Sequence, residues 1–232
     1  MSKPPYFFLV SIILLHSPLI LADVVDYKVV NTVPNSPGGR RFDEEIGVPF
    51  TLETMKTINL FIWKIFKQNT DAQRKQVPLL TLNITKLEDG IMGETGENNV
   101  YISSTCIQQY FPPGPIKFWF ASLLYHEMTH IFQWSGQGTA PGGLTEGIAD
   151  YVMVKSNYYD PNDYTKPGEG NSWDEGYGVT ARFLEYCDSL RDGFTADLNN
   201  MMREVYKDEY FQDLLGISLD QVWSDYKAKY AT

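Results

Sequence analysis

Apolar residues return at helical spacing between about Pro49 and Lys67, where Leu52, Met55, Ile58, Ile62, Ile65 and Phe66 share a face and predict an amphipathic helix. On either side the pattern changes to the two-residue alternation of strands. Asp23 to Thr32 is rich in β-formers, and in Val77–Lys86 the residues Leu80, Leu82 and Ile84 face one way while Thr81, Asn83 and Thr85 face the other. Pro34 to Gly39 reads as a turn-rich connection, Glu88-Asp89-Gly90 as a turn and Asn98–Ser104 as a short strand. After Pro112-Pro113-Gly114-Pro115 a helix is predicted from about Ile116 to Trp134, uncharged between Phe118 and Tyr125 and so buried on nearly all sides. Beyond the glycine-rich Gly136–Gly143 come a helix over Pro141–Asn157, a loop over Asn157–Trp173, and helices over Asp174–Leu190, Thr195–Val205, Phe211–Leu215 and Leu219–Tyr230. The pattern predicts an α+β fold, with a mixed N-terminal sheet and its helices to about residue 135 and a mainly helical lobe after it.

Composition narrows the function classes. The chain has 232 residues, enough for one domain or one domain with a cleft between two lobes. A formal charge of −10 gives no electrostatic case for nucleic acid or anionic membranes. Residues 1–22 carry Lys3, then an apolar run ending at Leu21-Ala22, and read as a secretory signal peptide, so that the mature domain covers 23–232. The run is short for a membrane span and holds His16 and Pro18, which disfavours the alternative of a permanent anchor. In an oxidising compartment Cys106 and Cys187 are expected to pair, two buried thiols being the other reading. Asn83-Ile84-Thr85 is the chain's sequon, and Asn83 on the polar face of its strand could carry a glycan.

The chemistry is concentrated in Tyr125-His126-Glu127-Met128-Thr129-His130. Residues four apart on a helix differ by about 40° in direction and about 6 Å in height, so His126 and His130 can grip one metal ion. Glu127 projects beside them and can take a proton from a water activated there, the arrangement of a zinc hydrolase. The remaining histidine, His16, lies in the leader, so both histidines of the mature chain sit in this motif. That is hard to reconcile with ordinary surface histidines. A third ligand is needed. Glu146 and Asp150, four apart in an otherwise apolar string, are the candidates: Glu146 as ligand, Asp150 as acceptor of a ligating imidazole's N–H, against the plain reading of two solvated acids. The competing arrangement with Gly three and His or Asp six residues past the second histidine is excluded by Gln133 and Gly136. For the oxyanion of peptide hydrolysis, Tyr177 is the first candidate donor and Arg182 the second. Val100–Ser103 is offered as the sheet edge that pairs with an extended peptide.

Long strings in the chain resemble the plant basic secretory protein family. They are Val25-Asp26-Tyr27, Arg41–Gly47, Leu124–His130, Ala140–Val152, Gly176–Leu184 and Trp223–Tyr230, and they run through nearly all of the mature chain. The resemblance implies a zincin-like fold, a zinc-dependent peptidase, secretion to the apoplast or cell wall and an association with defence. The chain departs from the family's name in being acidic, which argues against binding anionic wall polymers. The expected partners are a peptide or protein substrate, with a monomeric chain, no nucleic acid and no stable membrane anchor. The alternative is a secreted zinc-containing defence or wall-binding protein without turnover.

Overall fold

The computed structural model describes residues 25–112 and 114–231, so the expected leader lies outside the described residues. Strand β1 is Asp26–Asn31. The stretch expected to be a turn instead starts a short helix, α1 (Pro37–Arg41), because Ser36 caps it with its hydroxyl on the Gly39 N–H and Pro37 fits a first turn. A π-helical turn, Phe42–Ile46, follows and leads through Gly47 into α2, Val48–Ile65. Strands β2 (Leu79–Thr85), β3 (Gly93–Gly96) and β4 (Asn99–Ser103) complete the sheet. The helices after it are α3 (Ser104–Gln109), α4 (Ile116–Phe132), α5 (Gly142–Lys155), α6 (Tyr177–Leu190), α7 (Phe194–Met201), α8 (Glu209–Leu215) and α9 (Leu219–Tyr230).

The strand order is β1-β2-β4-β3, with β1, β2 and β4 parallel and β3 antiparallel to β4. Alternation in β2 has the expected sense: Leu80, Leu82 and Ile84 are fully buried, whereas Thr81, Asn83 and Thr85 are half-buried on the other face. The sequence reading of Val100–Ser103 as the edge is corrected here. β4 is paired on both sides, and the edge beside it is β3, a four-residue strand of alternating half-buried and exposed residues. Gly93-Glu94-Thr95-Gly96 holds no apolar side chain, so it carries no strand periodicity; such short, polar edges also resist unwanted pairing.

Helix α4 lies between the sheet with α2 on one side and α5 on the other. Its all-round apolar sequence follows from that. Phe42 meets Phe120 at 5.8 Å between ring centroids, Phe61 meets Tyr125 at 5.4 Å and Trp63 meets Phe132 at 6.2 Å, which fixes α4 along its whole length against the N-terminal helices. Helices α5 and α6 pack against each other with unusual closeness, because a Cβ at Gly147 would stand 2.3 Å from Thr180 side-chain carbons. The glycine therefore lets α6 approach α5 beside Glu146, and Gly176, just before α6, lies close to the Glu146 side chain.

The expected disulfide is also corrected: Cys106 and Cys187 are both free and buried. Cys106 is on α3, which packs against α1 and β4, while Cys187 is on α6, which packs against α5, α7 and α9. A bridge needs Cα atoms within about 7 Å, and the two thiols serve different parts of the core.

Candidate metal centre

Two helices build the centre. On α4 the i,i+4 spacing sets His126 Nε2 3.2 Å from His130 Nε2. From the first turns of α5, Glu146 brings Oε2 to 3.1 Å from His126 Nε2 and 3.5 Å from His130 Nε2. Ligand atoms about 2.0–2.1 Å from a tetrahedral zinc are separated by about 3.3 Å, which is the size of this triangle. Among the described residues, His126, His130 and Glu146 are the His/Cys/Asp/Glu group whose ligand atoms converge closely enough to hold a metal ion. The donor set, two imidazole nitrogens and one carboxylate, suits zinc and leaves a fourth position to the cleft.

Behind the first ring of side chains stands a second. His126 Nδ1 is 2.7 Å from Asp150 Oδ1, so the ring donates there and is held with its Nε2 toward the cluster. Asp150 in turn accepts at Oδ2 from the Tyr164 hydroxyl at 2.8 Å. His130 Nδ1 is 2.8 Å from Gln133 Nε2. Sequence reasoning passed over Tyr164, which reaches in from the loop between α5 and α6. It used Gln133 only to exclude another ligand pattern, although a position three past His130 lies on the same helical face.

Electrostatics follow from burial and from these partners. Burial alone would push the pKa of His126 down, but hydrogen bonds to Asp150 and Glu146 overcome it and raise the value to about 10 in the metal-free protein. Glu146 moves the opposite way: burial works against it, and the two imidazoles hold its carboxyl well below the usual range. Glu127, 4% exposed and not part of the triangle, has its pKa raised by burial against the lowering effect of the two histidines. Its carboxylate lies directly against the edge strand. A Cβ at Gly93 would be 2.5 Å from Glu127 Oε1, so only glycine allows β3 this close.

The triangle opens into a cleft of about 1110 Å³. Its lining includes Gly90–Thr95, Trp119, Ser122 and Leu123 of α4 with Met153, and Gln133, Ser135 and Thr145. Tyr177 stands at the mouth, 59% exposed, with its ring stacked on His126 at 5.9 Å and 13°. It begins α6 in the left-handed region at φ 44°, a backbone conformation that non-glycine residues seldom hold without cause. Arg182 does not reach the cleft: its guanidinium donates to Thr165 O at 2.9 Å and Glu185 Oε2 at 2.6 Å, which corrects its candidacy as an oxyanion donor.

A basic secretory protease from Boswellia serrata is 45% identical over 58 residues, a stretch that spans 25% of this chain and 66% of that protein. No solved structure matches the chain. The sequence profile of the BSP family, described as peptidase of plants and bacteria, matches residues 22–226. That span takes in the whole sheet and both helices of the His–His–Glu triangle, and the chain belongs to the BSP family of plant and bacterial peptidases.

Proposed function

We propose that this chain is a secreted zinc-dependent peptidase with a zincin-like arrangement, in which His126, His130 and Glu146 hold the ion. When bound there, zinc supplies Lewis acidity that polarises a carbonyl and acidifies water. Glu127 accepts the proton of the attacking water and returns it to the leaving nitrogen; burial raises its pKa above the usual carboxylate value, the direction a general base needs. Asp150 keeps the His126 proton on Nδ1. The Tyr177 hydroxyl donates to the oxyanion from the mouth of the cleft. The free edge of β3 supplies backbone partners for an extended peptide, and the residue seated toward Trp119, Leu123 and Met153 is bulky and apolar.

The observation that carries this reading is the buried, non-ligating Glu127 beside the triangle. A purely structural ion would leave that carboxylate buried to no purpose. Secretion rests on the leader-like residues 1–22 and on the similarity to the Boswellia serrata protein, a basic secretory protease. Among the described residues, no helix is long and apolar enough to cross a membrane. The defence association implied by the resemblance belongs to the same proposal. The test is metal analysis of purified protein with a peptide-library digest of wild type and Glu127→Gln. The expected result is one zinc per chain in both proteins and a rate lower by about 10²–10⁴-fold in the variant. Full hydrolysis by Glu127→Gln would remove the assigned base, and bound zinc without cleavage at any pH would favour the binding protein without turnover.

A further inference from the structure

The two histidines are held unequally. His126 rests on a carboxylate, which can only accept. His130 rests on Gln133, a residue 3% exposed whose backbone is fixed by its N–H on Thr129 O at 2.8 Å and its carbonyl on Lys75 Nζ at 2.8 Å. The side-chain amide directs Nε2 at both His130 Nδ1, 2.8 Å away, and Thr145 O, 3.1 Å away. Its Oε1 is buried with no hydrogen-bond partner among the described residues. Across the ring, His130 Nε2 faces His126 Nε2 at 3.2 Å and Glu146 Oε2 at 3.5 Å. A neutral imidazole that gives a lone pair from Nε2 must carry its proton on Nδ1. A donor amide cannot serve that form, whereas the unpartnered Oε1 can.

The geometry points to Gln133 as the positioning residue for His130: with its amide oxygen toward the ring it accepts the Nδ1 proton and fixes the ring, leaving Nε2 to give its lone pair to a divalent cation. This inference rests on the metal reading above and goes beyond it, since it assigns the device that makes one ligand competent.

The experiment is a zinc titration of the metal-free full chain against a chromophoric chelator, for wild type, Gln133→Met and Gln133→Glu. Methionine fills the space without an acceptor, and affinity is expected to fall about 10–100-fold. Glutamate accepts from Nδ1 but cannot donate to Thr145 O, so it is expected to restore binding to the wild-type level or above. If the residue merely joins α4 to α5 through Thr145 O, glutamate will bind as weakly as methionine, and the inference is overturned. It is overturned equally if methionine binds as tightly as wild type. Nitrogen NMR of the zinc-loaded wild type, which needs no variant to fold, is expected to show His130 protonated at Nδ1; an unprotonated Nδ1 contradicts the inference. A wild type that binds no zinc rejects the metal reading itself, which separates the two failures.

Discussion

Replacing Gly93 with alanine tests whether the position of Glu127 sets the rate. In β3, Gly93 sits opposite the fully buried Ile102, and the added Cβ would lie 2.5 Å from Glu127 Oε1, 2.8 Å from Cδ and 2.9 Å from Cγ. Ordinary carbon contacts need about 3.5–4.0 Å, so roughly 1 Å must be found. The strand can yield only by loosening its pairing with β4, and α4 is fixed by its aromatic contacts, so the carboxylate is the part that moves. Misplacing a catalytic group by about 1 Å costs on the order of 10²-fold, or about 2.7 kcal/mol of transition-state stabilisation. Ground-state strain from an off-rotamer Glu127 is smaller, about 0.5–1.5 kcal/mol, so melting should shift little. The assay is peptide hydrolysis by the zinc-loaded protein, with metal content measured in parallel. Glu127→Asp, shorter by one methylene, should relieve the clash, so that the double variant is less impaired than the product of the two single losses, with a coupling of about 0.5–3 kcal/mol. A Gly93→Ala protein that turns over at the wild-type rate would refute the reasoning, as would strict multiplicativity in the double variant.

Four further outcomes are expected. Chelator should lower the melting temperature, because an ion present at about 1,000 times its dissociation constant stabilises the fold by about 4 kcal/mol; an unchanged melt would mean that no ion is held. In the metal-free protein the His126 pKa is raised from 6.5 to about 10, so its contribution to stability is full below the unfolded value and fades as pH climbs through about 10. Melts between neutral and alkaline pH check this, and zinc added near neutral pH should release protons that a pH indicator records. Both cysteines should resist alkylation in the native state and react on unfolding, since burial pushes the Cys106 thiol up to about 12 and raises that of Cys187; a reductant should leave the melt unchanged. Leu123→Asn should weaken cleavage beside bulky apolar residues by about 10-fold or more while sparing small ones, the scale of about 1–3 kcal/mol that a hydrophobic contact supplies; a library digest reads the preference directly.

The parts of the centre that were legible in the sequence are those with a local period. His126 and His130 converge because a helix repeats, and the apolar run before them announced a buried helix. Glu146 could be suggested because it opens the next helix, with Asp150 one turn on. What escaped was set by packing between distant segments. β3 lacks any apolar alternation, yet β4 supplies its hydrogen bonds and Glu127 lies against its first glycine. Tyr164 and Gln133 earn their places only once α4, α5 and the loop after α5 are assembled. The cysteines show the opposite failure: an even count in an exported chain suggested a bond, and the fold gave each thiol a different set of neighbours.

The loop between α5 and α6 is tied to the centre by the Tyr164 hydroxyl on Asp150. Because Asp150 orients His126, whatever seizes this loop and draws Tyr164 outward also slackens the grip on the ion. Linkage makes the relation mutual: filling the centre must stiffen the loop against capture by the same factor. The chain would thereby expose a looser flank when empty than when loaded, and proteolytic nicking at that flank would report its metal status.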